Sequence, residues 1–264
     1  MNIYIQLATG LAMVSIAMLL TFKYCWKREN FGYVDVVWSY SVGALAILYF
    51  VANYENAISR SLLALALTLT WSVRLGTHLL VRVSNEEEDG RYQEIREAWK
   101  DDLKRRTFIF FQFQALAAVI MSIAPLLAMS TRQSFGAVGD WIAIGIAGVA
   151  ITGEAIADNQ LSKFRSDPNN KGRTCRKGLW ALSRHPNYFF EWMLWCSFPF
   201  LTYGTPYFWA SLASPLILLF LITKVTGIPP TERNAIKSRG DDYRAYQKET
   251  RAFLPIPKKS PASN

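Results

Sequence analysis

Apolar residues along this chain fall in long blocks, not at the spacing of an amphipathic surface helix or strand. The blocks cover 3–24, 32–53, 59–81, 107–129, 137–157, 187–203 and 205–226. About 20 mostly apolar residues suffice for a helix to cross the hydrocarbon core. The pattern therefore predicts an all-α, polytopic membrane protein with seven transmembrane helices. The last two blocks are joined by Tyr203 to Pro206, a Tyr-Gly-Thr-Pro turn short enough to predict a hairpin. The first block is too long for a signal peptide, has no basic start, and shows no small-residue cleavage site before Lys23, so it reads as a retained helix. Repeats, low-complexity tracts and Gly/Ser linkers are absent from the sequence, and residues 1–264 read as a single domain.

Polar segments separate the blocks, and their charge orders them. Lys23, Lys27 and Arg28 follow the first block, Arg60 alone the second, and seven basic residues from Arg82 to Arg106 the third. Arg132 alone follows the fourth, seven from Lys163 to Arg184 the fifth, none the sixth, and the remainder lie in the tail. This alternation predicts an amino terminus outside and a cytoplasmic carboxyl terminus. It also accounts for most of the net charge of +9. A soluble nucleic-acid binder is excluded, because basic residues interrupt apolar spans and form no single patch. The three cysteines, Cys25, Cys175 and Cys196, have neither disulfide-framework nor metal spacing, and two histidines are too few for a histidine-rich metal site. Long polar stretches at 82–106, 158–186 and 227–264 all fall on the predicted cytoplasmic side. In the first, an Asp89-Gly90 turn predicts a short amphipathic helix with Ile95, Ala98, Trp99 and Leu103 on one face, suited to the membrane surface. The end of the tail, IPKKSPASN, reads as disordered.

Polar residues inside apolar spans are costly and usually face a cavity or a partner. Asp35 and Trp38 are three apart on the second predicted helix, and Trp71, Arg74 and His78 form a stripe on the third. Gln112 and Gln114 open the fourth. Glu154 and Asp158 end the fifth on one face, with Arg165 on the same stripe if the helix continues. Plainer readings exist: Arg74 and His78 as snorkelling interfacial residues, Trp38 and Trp71 as packing, Asp35 paired with Arg74. The most informative segment is KGLWALSRHPNYFFEW, Lys177 to Trp192. There Arg184, His185, Asn187, Tyr188 and Glu191 surround a helix start at Pro186, a favoured first-turn position for proline. Free backbone N–H groups at such a start suit an anion, and Arg165, Arg173 and Arg184 suit phosphate.

The RHPNY segment, the upstream EAIADNQLSKFR and the downstream GIPPTERNAIKSRGDDYRAYQKETRAFLP resemble the steroid 5-alpha-reductase-like superfamily. With GYVDVVWS, WSVRLGTHL and EDGRY, the chain is most similar to that superfamily's bacterial DUF1295 membrane proteins over nearly its whole length. The resemblance implies a membrane reductase taking NADPH from the cytoplasmic side, in the bacterial inner membrane or, in a eukaryote, the endoplasmic reticulum. Carried over by position, Arg91, Asp158, Arg165, Arg173, Arg184, His185, Asn187, Tyr188, Glu191, Arg233, Tyr243 and Tyr246 would bind the cofactor. No Gly-x-Gly-x-x-Gly motif is present, which fits a non-Rossmann site. Two departures stand out. Phe190 occupies a position that is commonly glycine in relatives. Asp35, Trp38 and Trp71 stand where steroid-reducing members have a Gln-Glu pair and a tyrosine.

The expected reaction is reduction of a C=C bond conjugated to a carbonyl in a lipophilic enone. A buried neutral carboxylic acid can donate a hydrogen bond to the carbonyl oxygen, which assigns Asp35 that role, Trp38 and Trp71 the pocket walls, and Arg74 and His78 either its orientation or a contact with the nicotinamide end; paired with Arg74, Asp35 would instead stay ionised and could not donate. One alternative is an S-adenosylmethionine-dependent methyltransferase of the isoprenylcysteine or phospholipid type, similar in the RHP-x-Tyr segment and in Glu232, Tyr243, Tyr246, Arg251 and Pro255. Another is a non-enzymatic lipid-binding or transport protein, against which the lack of inverted repeats speaks. Gly145 and Gly148 are a weak hint of a helix–helix interface.

Overall fold

A computed structural model describes residues 2–54, 58–85, 88–131 and 133–257. Glu55 to Ala57, Glu86, Glu87, Arg132 and the end of the tail from Lys258, where disorder was expected, lie outside the described residues. Regular secondary structure among the described residues is entirely helical, apart from one isolated bridge between Ser183 and Arg251. The long helices are α1 (Ile3–Arg28), α2 (Tyr33–Ala52) and α3 (Ile58–Asn85). After the short α4 (Gly90–Ala98) come α5 (Leu103–Met121), α6 (Ile123–Ser130) and α7 (Val138–Ser166). Four short helices follow: α8 (Leu179–Leu182), α9 (Pro186–Trp195), α10 (Phe198–Leu201) and α11 (Phe208–Ser211). Then come α12 (Ala213–Phe220), a π-turn at Leu221–Val225, α13 (Ile228–Arg239) and α14 (Asp241–Glu249).

Among the described residues, six helical stretches are long and apolar enough to cross a membrane. The sixth expected span, the block 187–203, does not form one helix. Its backbone stops at Trp195 and resumes for one turn at Phe198–Leu201. Pro199 has no N–H to continue the ladder, and the Ser197 and Thr202 hydroxyls donate back to the Leu194 and Pro199 carbonyls. The fourth expected span is also interrupted, at Ser122. Pro125 cannot donate to the Met121 carbonyl, and α6 restarts from Ser122. By contrast the fifth helix runs past its apolar block, so Glu154, Asp158 and Arg165 share one continuous helix.

The chain divides into two compact units. The first is Met1–Trp141 with Phe198–Ser214; the second is Ile142–Ser197 with Pro215–Asn264. In the first, α2 and α3 approach closely through small residues, the arrangement that lets membrane helices pack without a hydrophobic driving force. A side chain at Gly43 would overlap Ser72, and one at Gly76 would press on the Tyr40 ring. The Ser72 hydroxyl donates to the Ser39 carbonyl (2.8 Å). Arg60, expected as a loop residue, is 2% exposed. Its Nη2 donates to Asp140 Oδ2 (2.8 Å), its Nε lies 2.8 Å from Oδ1, and its Nη1 donates to Gln133 Oε1 (2.7 Å). The Gly136 and Ala137 amides complete the shell around Asp140.

Candidate functional site

The first unit holds a polar cluster where α4 meets the start of α2. Asp89 caps α4 by accepting from the Arg91 amide (3.0 Å). That turn delivers Arg91 and Tyr92 to Asp35. Arg91 Nη2 donates to Asp35 Oδ2 (3.0 Å), and the Tyr92 hydroxyl donates to Oδ1 (2.8 Å). Arg91 also donates to both oxygens of Asp89 (3.1 Å each), and Arg82 adds a contact at 3.2 Å. Burial, with Asp35 alongside, pushes the Tyr92 phenol well up, so it stays a donor. Beside it, Glu88 accepts from the Phe31 amide (2.6 Å) and from Arg96 (2.8 and 3.2 Å), whose guanidinium lies 3.8 Å above the Phe31 ring.

Both oxygens of Asp35 are therefore engaged from α4, and the residue ties that helix to the start of α2. The cation paired with it is Arg91, at 3.0 Å. One turn further along α2, Trp38 meets Trp71 edge to face at 5.8 Å. Trp71 is 1% exposed. The Trp38 Nε1–H is inaccessible to solvent and has no hydrogen-bond partner among the described residues. Arg74 and His78 occupy the same helix as Trp71. On α4, Ala98 is exposed while Ile95 and Trp99 are partly covered, Trp99 lying edge to face on Phe110.

The second unit gathers every other cofactor candidate except Arg91. Pro186 sits in the first turn of α9, as its sequence predicts. Gly178 has φ +60, a conformation that favours glycine, and lets Gln160 Oε1 cap the Leu179 amide at 2.9 Å. Arg184, the residue expected to meet phosphate, is held internally. Its Nε donates to Glu232 Oε1 (2.6 Å), and its Nη1 donates to the Thr250 and Gln247 carbonyls. Glu232 also accepts from Gln247 Nε2 (2.7 Å) and lies 3.2 Å from His185 Nε2. Burial lowers the His185 pKa against the pull of Glu232. The imidazole is therefore neutral at pH 7 and presents Nε2–H to the carboxylate. Its ring stacks on Tyr188 (5.3 Å, 7°), whose hydroxyl is 3.2 Å from that of Thr231.

The tail closes this cluster. The Arg184 amide donates to the Arg251 carbonyl (2.9 Å), and the Ser183 hydroxyl donates to the Phe253 carbonyl (2.8 Å). Tyr246, expected to cover the cofactor, is 1% exposed, and its hydroxyl donates to the Trp180 and Ser183 carbonyls. Tyr243 and Tyr246 pack edge to face at 5.8 Å, and burial pushes both phenols up. They hold the RHPN loop to α14. Phe190 folds inward onto Gly153, where any β-carbon would overlap the ring.

The groups left facing outward are Arg165, Arg173 and Arg233, all exposed. Arg239, absent from the sequence-based set, lies over the Tyr243 ring at 4.8 Å and close enough to Arg165 to feel its repulsion. Asn187 Oδ1, in the first turn of α9, is buried without a hydrogen-bond partner among the described residues. Sequence reasoning also missed Tyr92, Glu88, Arg96 and Gln247. Tyr92 follows Arg91 inside EDGRY, but nothing local shows that both reach back to Asp35. No group of three or more potential metal-ligating side chains occurs among the described residues.

Six apolar crossing-length helices, with polar clusters gathered where apolar stretches give way to polar ones, define a multi-pass membrane protein. The chain belongs to the family described as protein of unknown function (DUF1295), which matches residues 22–250. It is 24% identical over 261 residues to an uncharacterized protein of Schizosaccharomyces pombe, covering 86% of this chain and 73% of that protein. No solved structure matches.

Proposed function

We propose that the protein is an NADPH-dependent membrane reductase acting on the conjugated C=C bond of a lipophilic enone. The observation that carries the reading is the buried, unpartnered Asn187 Oδ1, set within a chain region rich in outward arginines. A buried acceptor left unmade costs about 1–3 kcal/mol, and a carboxamide or an adenine amino group would satisfy it. The mutual repulsion of Arg165 and Arg239 would be relieved by a phosphate. These residues fit a dinucleotide: Asn187 for an amide, and Arg165, Arg173, Arg233 and Arg239 for phosphates. When bound, NADPH would supply the hydride that the reduction consumes. Arg184, Glu232, His185 and Tyr246 act as the frame that fixes α9, α13 and α14 around it.

In the membrane, the reading is of seven crossings, with α9 and α10 together forming a broken one. The amino terminus lies outside, the tail is cytoplasmic, and the location is the bacterial inner membrane or, in a eukaryote, the endoplasmic reticulum. The charge alternation of the loops supports the orientation.

Titration of detergent-purified protein with NADPH, NADH and S-adenosylmethionine, followed by calorimetry, tests the cofactor. Saturable NADPH binding is expected, weakened about tenfold or more in Arg165→Ala by loss of a charge-assisted hydrogen bond and also weakened in Asn187→Ala. Binding of S-adenosylmethionine alone would replace the reading with a methyltransferase. Binding of none would move it to lipid binding or transport.

A further inference from the structure

We infer that the Trp38 indole N–H is the hydrogen-bond donor to the carbonyl oxygen of the lipid bound in the first unit. Three observations converge on it. Asp35, the acid placed to donate by its sequence, accepts from Arg91 and Tyr92 at its two oxygens and is engaged at both. Trp38 lies one turn along the same helix, so its indole is the next polar group on that stretch of α2. Its Nε1–H is sealed from solvent and has no partner among the described residues.

A buried donor in an apolar span has no water to turn to, and leaving it unmade is costly. The indole carries no acceptor, so only an acceptor can satisfy it. The Trp71 ring, 5.8 Å away and edge to face, supplies an apolar wall that excludes water from the same spot. The chemistry that fits is an uncharged carbonyl on an apolar skeleton. A carboxylate or phosphate would bring an uncompensated charge into the span. An indole N–H also suits an oxygen whose negative charge grows as a conjugated bond is reduced, because a donor fixed in a dry site strengthens with that charge. The choice of a carbonyl lipid rests on the reductase reading; the donor itself rests on Trp38.

The test is nuclear magnetic resonance of the full chain in detergent with 15N-labelled tryptophan, titrated with 2-cyclohexenone and, separately, with cyclohexene. The Trp38 indole signal is assigned by its loss in Trp38→Phe. The expected result is a saturable downfield shift of that signal with the ketone and none with the hydrocarbon. The signal of Trp209, 78% exposed on α11, should respond to neither in this way. Thermal-shift titration should show ketone affinity falling about tenfold in Trp38→Phe, the worth of one buried hydrogen bond, with cyclohexene affinity unchanged. Equal responses to ketone and hydrocarbon at Trp38 would overturn the assignment. Should Trp38→Phe fail to fold, the wild-type spectrum still decides: no indole signal moving downfield selectively with the ketone refutes it. NADPH titrated into the same sample separates the two readings. NADPH binding without a ketone response sinks Trp38 and spares the reductase, whereas a ketone response without NADPH binding does the reverse.

Discussion

Single side chains carry the sharpest consequences here. Arg60 and Asp140 are both buried and pair through one hydrogen bond and a second ion contact at 2.8 Å, with Gln133 and two backbone amides filling the shell. Removing one partner strands a buried charge, whereas replacing both by apolar groups need not be costly. Asp140→Ala should therefore destabilise by about 3–5 kcal/mol, and the double variant Arg60→Met, Asp140→Leu should recover much of the loss in thermal unfolding. His185 yields a pH dependence. Its folded pKa is lowered by burial, while the unfolded chain takes up a proton near pH 6.5. The unfolded state thus binds more protons below that value. Stability should be full above about pH 6.5 and fall as the pH drops below it. The charges of Arg184 and Arg239 oppose protonation, and Glu232 favours it. A flat melting temperature between pH 7 and 5 in His185→Gln, against a falling one in the native protein, would confirm the assignment.

At the level of helices, the sequence was most readable where an apolar block was uninterrupted. The first three spans end within a few residues of their blocks, and α9 starts at Pro186 as its first-turn proline demands. The breaks were harder to see. Nothing in 187–203 looks less apolar than its neighbours, and the interruption arises from Pro199 acting with serine and threonine hydroxyls that bond back to the helix. Partners distant in sequence were invisible for a different reason: Asp35 is 56 residues from Arg91, and Arg74 was the nearer cation along a plausible helix face. The Phe190–Gly153 contact is likewise a pairing between elements. Having a ring at one position requires no side chain at the other. Gly153→Ala should cost about 1–3 kcal/mol through overpacking, and Phe190→Leu in the same chain should relieve part of it, as read by thermal unfolding.

On the scale of the whole molecule, the candidates for substrate chemistry (Asp35, Trp38, Trp71, Arg74 and His78) belong to one compact unit, and all cofactor candidates but Arg91 belong to the other. The proposed orientation has its own check. In a chain lacking its three native cysteines, a cysteine in place of Thr205, between α10 and α11, should react with a membrane-impermeant maleimide from outside intact cells. One in place of Lys237, on α13, should react only after lysis. The opposite pattern would invert the topology.

The second unit is assembled from pieces that leave the ribosome far apart. Its α9 start is complete by Asn187, yet the carbonyls that hold Ser183 and Arg184 belong to Thr250, Arg251 and Phe253. Every apolar span is already synthesised by then. The cluster around Arg184 therefore cannot close until residues 250–253 are made, and a chain cut short before residue 250 would leave it open.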